Sequence, residues 1–95
     1  MAVEERQLET WWNQLKKTGD NKARESLVTA YLPLVKYIAG RMAVGLPNTV
    51  DYEDLVSYGI FGLMDAIEKY DTSRGVKFES YAATRIRGAI LDGLR

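Results

Sequence analysis

Apolar residues recur at spacings of three, four and five along most of the chain, and clusters of turn residues interrupt them. Between residues 3 and 17, Val3, Leu8, Trp11, Trp12 and Leu15 fall mostly on one stripe of a helix. Trp11 and Trp12 are neighbours, so both cannot face inward. Two rings commonly complete a small core, but one of this pair is expected at a rim or against a partner. Thr18-Gly19-Asp20 then ends the first helix, with glycine suited to the C-terminus and Asp20 able to cap the next start. From Asn21, the positions Ala23, Leu27, Ala30 and Tyr31 keep helical spacing up to Pro33, and Leu34, Val35, Ile38, Ala39 and Met42 continue it to Gly45. Proline removes a donor and clashes with the preceding turn, so a kink or restart is expected at Pro33. Gly45-Leu46-Pro47-Asn48 closes the segment.

A third helix is predicted from Asp51, a good N-cap, with Glu53 and Asp54 in its first turn. Leu55, Val56, Leu63 and Ile67 lie to one side, with Gly59, Gly62 and Ala66 beside them. Each glycine costs about 1 kcal/mol in a helix interior, so their joint placement on the core side points to close approach by another helix. Asp54, Tyr58, Phe61, Asp65 and Glu68 line the opposite side, an acidic ridge bearing two rings. Solvated ridges rarely carry phenylalanine, and aromatics are enriched in interface cores. The ridge therefore reads as a docking surface for a basic partner, against the plainer alternative that Phe61 packs at an edge.

YDTSRGV, residues 70 to 76, reads as a turn in which Gly75 permits positive φ, and it places Arg74 and Lys77 at the start of a last helix. The free N–H groups of such a start, with these cations, suit a backbone phosphate. Wound at one hundred degrees per residue, KFESYAATRIRGAILDGL separates into two faces. Phe78, Ala82, Ala83, Ile86, Ala89, Ile90 and Leu94 form a core side. Ser80, Tyr81, Thr84, Arg85, Arg87 and Gly88 form the other, where cations beside an aromatic suit nucleic acid.

Composition sharpens this division. The formal net charge is zero, yet Asp51 to Asp71 holds six acidic residues against Lys69 alone, and Thr72 to Arg95 holds five cations against Glu79 and Asp92. Adjacent segments of opposite sign argue for two partner surfaces. Cysteine and histidine are absent, so there is no disulfide framework or thiolate chemistry, and no cluster has metal-ligand spacing. No catalytic residue, metal site or cofactor is expected. The acidic N-terminus lacks the basic flank of a secretory signal, and no apolar run is long enough to cross a bilayer, so a cytoplasmic protein without membrane contact is expected.

DLVSYGIFGLMDAIEKYD followed by KFESYAATRIRGAI closely resembles conserved regions 2.2 to 2.4 of the bacterial sigma-70 family of RNA polymerase sigma factors. LPLVKYIAGRMAVGLP resembles region 2.1, and VGLP with RIRGAILDGLR is more like the alternative flagellar motility and WhiG-like sporulation subclass than the housekeeping form. The resemblance covers roughly residues 22 to 95. It implies an all-α bundle of about four helices that joins core RNA polymerase and recognises and melts the promoter −10 element. Asp54 and Met64 match positions that dock on the clamp coiled coil of the polymerase β′ subunit. Ser57, Tyr58 and Ile60 stand between them in place of polar housekeeping residues, and Phe61 and Asp65 of the acidic ridge complete the expected docking set.

Lys77, Phe78 and Tyr81 match the promoter-melting segment, with Tyr81 at the place of the aromatic that stacks at the edge of the melted element. Arg74, Arg87 and Gly88 join them as expected DNA contacts. Thr84 and Arg85 replace the two adjacent tryptophans of the housekeeping motif, and arginines read guanine edges and phosphates, so a GC-containing −10 element is the expectation. The family also implies anti-sigma factors as competitors for these surfaces. The helical pattern is still amphipathic at Leu94-Arg95, so residues 1 to 95 are expected to be one domain, an N-terminal fragment of a longer sigma factor. Two rival readings remain: a protein-interaction module without DNA contact of its own, and an enzyme using Asp54, Asp65 or Glu68.

Overall fold

The computed structural model describes residues 3–95. Four helices follow in order: α1 (Glu5–Thr18), α2 (Asn21–Ala43), α3 (Tyr52–Lys69) and α4 (Phe78–Gly93), with no strand among the described residues. α3 and α4 form the most extensive pair, α2 lies against both, and α1 packs along α2. At about 1.5 Å per residue, the 23 residues of α2 make the longest rod of the fold.

The helix boundaries follow local chemistry. Gly19 ends α1 in the left-handed region at φ 67°, and its amide donates to the Leu15 carbonyl. One carboxylate oxygen of Asp20 then accepts from the amides of Lys22 and Ala23, at 2.8 and 3.0 Å, satisfying donors that the first turn of α2 cannot pair itself. Asp51 does the same for α3, accepting from the Glu53 amide at 2.9 Å. Of the two outcomes expected at Pro33, a kink or a restart, the restart does not occur: α2 is one continuous helix with Pro33 inside it. Pro33 and Thr29, whose carbonyl loses its donor, both lie on the exposed side, where water can take the role of the missing amide. Leu27 and Val35, fully buried on either side, seat both halves of the helix in the core.

The core is wholly apolar among the described residues and joins Leu15, Leu27, Val35, Leu55, Leu63, Ile67, Ile86 and Ile90. Its α1 end is aromatic. Trp12 is buried and Trp11 sits at the rim, the split that adjacent helical positions require. Phe78 packs against Trp12 and Tyr31 with ring centroids 4.9 and 4.5 Å apart, and Tyr70 touches both Trp12 and Phe78 at 5.2 and 5.1 Å. A second tie fastens α1: the Lys16 ammonium donates to the Ile67 and Glu68 carbonyls at the end of α3, each at 3.0 Å. Burial pushes the pKa of this amine down, and Glu68 opposes that shift.

The expectation of close helix approach at the α3 glycines holds. A Cβ on Gly59 would lie 2.7 Å from Val35 Cγ1 and 3.3 Å from Ile86 Cγ2. One on Gly62 would lie 2.6 Å from the Arg85 carbonyl oxygen and 2.8 Å from Ala89 Cβ. A Cβ on Gly88 would meet nothing within 4 Å. These contrasts set opposite expectations for one substitution. Gly62→Ala should destabilise by about 1–3 kcal/mol because the obstacle is α4 backbone. Gly88→Ala should stabilise by about 0.5–1 kcal/mol through helix propensity alone. Urea unfolding of the two variants checks both signs; a stabilised Gly62→Ala would mean that α3 and α4 are not held as close as described.

Candidate functional site

The outward face of α3 presents Asp54, Ser57, Phe61 and Met64 in one arc, all exposed. Phe61 is 69% exposed, an unusual position for a phenylalanine in so small a domain. Two members of the expected ridge sit differently. Tyr58 is half-buried, with its ring against Gly93 near the end of α4, where an added Cβ would overlap the ring. Asp65 is not a free acid: its carboxylate bridges Lys69 at 2.9 Å and Arg85 of α4 at 2.5 Å. Hydrogen bonding from Lys69, with a further contribution from Arg85, holds its carboxyl below the usual carboxylate range. Glu68 is likewise engaged, by Arg24 of α2 at 2.5 Å. The acid that stays open to a partner is concentrated at the N-terminal end of α3.

The linker from α3 to α4 is closely tied. Asp71 accepts from the Ser73 hydroxyl and amide at 2.6 and 2.9 Å, and these bonds keep its carboxyl below its ordinary range. Gly75 adopts φ 75°, and the Tyr70 hydroxyl donates to the Val76 carbonyl. Arg74 and Lys77 are exposed, and Lys77 occupies the N-cap of α4 without a side-chain capping bond. Lys69, Tyr70, Asp71, Arg74, Val76 and Tyr81 together line a hollow of about 350 Å³, within the lower range of small-ligand sites, about 300–1,000 Å³. Tyr81 is half-buried at its edge: its ring lies 5.7 Å from that of Tyr70, and the Arg85 guanidinium carbon stands 5.0 Å from its centroid.

Phe78 requires a correction. The resemblance groups it with the DNA contacts, but at 4% exposure it sits inside the aromatic cluster and supports the start of α4 from within. The arginines require another: they do not share a face. Arg85 turns to α3 and Asp65, whereas Arg87 lines a hollow against α2. Thr84 is exposed between them, beside Gly88 and its open space. Sequence reasoning misses Tyr70 and Lys69 as lining residues. The available signal is Tyr70's place three residues beyond buried Ile67 on the core stripe, immediately before the turn. Among the described residues no three His, Cys, Asp or Glu side chains come together as a metal site, and no helix is long and apolar enough to cross a membrane.

The Asp65 bridge carries a pH dependence. Its folded pKa is depressed, so its contribution to stability is present above the unfolded value, about 3.9, and is lost as pH falls through the lower folded value. Comparing urea midpoints of the wild type and Asp65→Asn should therefore show a gap near neutrality that closes on acidification below about pH 4. A gap constant across that window would show that the carboxylate charge contributes nothing.

The sequence and fold have known counterparts. The family described as Sigma-70 region 2 matches residues 27–95. The RNA polymerase sigma-D factor of Bacillus subtilis (strain 168) is 54% identical over 84 residues, 88% of this chain and 33% of that protein. The RNA polymerase sigma factor FliA of Pseudomonas aeruginosa is 46% identical over 79 residues, 83% of this chain and 32% of that protein. Among solved structures, the flagellar sigma/anti-sigma complex Sigma-28/FlgM superposes with a TM-score of 0.73 at 43% identity, covering 83% of this chain and 34% of that one. The chain thus spans about a third of the length of the curated relatives it matches. With 69 of its 95 residues inside the family's match, and with relatives of the flagellar sigma-28 type, this chain belongs to the Sigma-70 region 2 family.

Proposed function

We propose that residues 1 to 95 are a single domain of a longer alternative sigma factor, which directs transcription initiation by joining core RNA polymerase and by recognising and melting the promoter −10 element. The outward arc of α3, with Asp54, Ser57, Phe61 and Met64, docks on the β′ clamp coiled coil, and Tyr58 and Asp65 border that arc. Linker and α4 take the DNA: Arg74 and Lys77 hold phosphates, Tyr81 stacks on an unpaired base, and Thr84, Arg85, Gly88 and Arg87 lie along the strand's path. The domain does no bond chemistry of its own, since polymerisation belongs to the core enzyme, and it works in the cytoplasm where that enzyme acts.

The observation that carries this reading is the hollow at the α3–α4 junction. It has ring walls from Tyr70 and Tyr81 and cations from Lys69 and Arg74, the combination that single-stranded nucleic acid uses. The rival reading as a pure protein-interaction module draws on Phe61 and Met64, which are exposed apolar groups, and on the relative whose structure is a sigma/anti-sigma complex. An anti-sigma factor covering these surfaces is compatible with both readings.

Two variants separate the partners. Asp54→Ala should weaken binding to the β′ coiled coil with native circular dichroism, as titration would register; unchanged affinity would remove that residue from the docking arc. Tyr81→Ala should be measured twice, by thermal melting and by open-complex formation with core polymerase. Loss of stacking costs on the order of 1–3 kcal/mol in single-strand binding, whereas truncating a packed aromatic costs on the order of 3–5 kcal/mol of folding stability. Near-native melting with opening lost is expected, and Tyr81→Phe should be nearly silent. A large melting shift with opening preserved in the folded fraction would make Tyr81 a packing residue only.

A further inference from the structure

The side of α2 that meets the C-terminal half of α4 carries two side chains, Tyr37 and Arg41, that none of these roles uses. Tyr37 is 62% exposed. The Arg41 guanidinium carbon lies 5.8 Å from its ring centroid, and one guanidinium nitrogen donates to its hydroxyl at 3.4 Å. Arg87 reaches toward this pair from α4, and the three side chains, with Ile38 and Met42, line a surface hollow of about 400 Å³. Arg24, Lys69 and Arg85 all have carboxylate partners, but neither Arg41 nor Arg87 takes part in any ion pair among the described residues. Two unneutralised guanidiniums facing one hollow repel each other, and an exposed ring beside them leaves apolar surface in water. Both costs are relieved by an anionic occupant that also covers the ring, and a nucleic-acid backbone, with its phosphates and sugars, meets both conditions.

We propose that Tyr37 and Arg41 of α2, together with Arg87 of α4, form a phosphate clamp for the double-stranded DNA that adjoins the melted segment. This rests on the reading of the chain as a −10 recognition domain. Arg87 stands on the flank of α4 away from Tyr81 and Arg85, because residues 85 and 87 lie about two hundred degrees apart on a helix. The unpaired base and the clamp are therefore held on different flanks, with the open space over Gly88 and the exposed Thr84 between them. A strand engaged at the first hollow crosses the crest of α4 to reach the second. Paired DNA fits that second position better than more single strand, since only one exposed ring is offered there and the cations suit phosphates of a rigid backbone. Stacking on Tyr37 pre-orients the Arg41 guanidinium, which lowers the entropy lost on binding a phosphate.

The test uses the full-length protein assembled with core RNA polymerase and two labelled probes: the single-stranded −10 sequence, and the same strand extended by adjoining duplex. Arg41→Gln and Tyr37→Ala should bind the single-stranded probe as the wild type does, and the forked probe several-fold more weakly. Arg41→Gln should also flatten the log–log salt dependence on the forked probe by about 0.9 for each phosphate it no longer neutralises, and Arg41→Lys should restore the slope because it keeps the charge. Equal affinity of wild type and Arg41→Gln for the forked probe, with unchanged slope, would overturn the clamp and leave the −10 reading standing. Equal losses on both probes would also overturn it, because the defect would not be specific to duplex. If the wild type bound neither probe, the −10 reading and the clamp would fall together.

Discussion

The close approach of α3 and α4 is the constraint on which the other features depend. Gly62 removes the one side-chain atom that would meet the α4 backbone, and Gly59 does the same for Val35 and Ile86. With the helices this near, Ile86 and Ile90 are fully buried between α2 and α3, so the rotation of α4 about its axis is fixed. That rotation decides which side chains are left for partners. Arg85 is turned to Asp65, Arg87 to α2, and Thr84 and Gly88 outward. An alanine at Gly62 would push α4 away and move all of these together, whereas one at Gly59 would first meet Val35 of α2.

The aromatic cluster transmits the same order to the linker. Trp12, Tyr31, Tyr70 and Phe78 are in ring contact, and Tyr70 extends the chain to Tyr81. Edge and tilted ring pairs each add about 0.5–1.5 kcal/mol beyond area burial, so the start of α4 is held by several modest interactions rather than one. The linker itself is braced by Asp71 and by the Tyr70 hydroxyl. On the proposed reading, a base entering the hollow would meet walls that are already in place, and the ordering cost that would otherwise oppose binding would fall on folding.

Much of this is legible in the sequence because it depends on local rules. Asp20 and Asp51 announce helix starts, the α3 glycines announce a close neighbour, and adjacent tryptophans must divide between core and rim. The failures lie where the answer depends on tertiary distance. Pro33 signals a kink or a restart in α2, and no restart occurs because its exposed position makes the missing amide inexpensive. Phe78 is readable as core from the wheel, and only the family resemblance places it among DNA contacts. Asp65 and Arg85 look like members of two separate surfaces, because nothing in a one-dimensional charge split reveals that twenty residues apart becomes 2.5 Å. One consequence is practical: reversing the charge at Arg85 disturbs α3 as well as α4, whereas Arg87 reports on α4 and α2 without touching the Asp65 bridge.

The central proposal is that one small bundle presents two surfaces to two different macromolecules, α3 outward to polymerase and the linker with α4 to promoter DNA. Site-specific photocrosslinking tests it most directly, with a photoreactive phenylalanine analogue at position 61 or 81 of the full-length protein in a complex of core polymerase and promoter DNA. The account requires position 61 to crosslink to β′ and position 81 to the unpaired −10 strand. Crosslinks from position 61 to DNA, or from position 81 to polymerase alone, would contradict it.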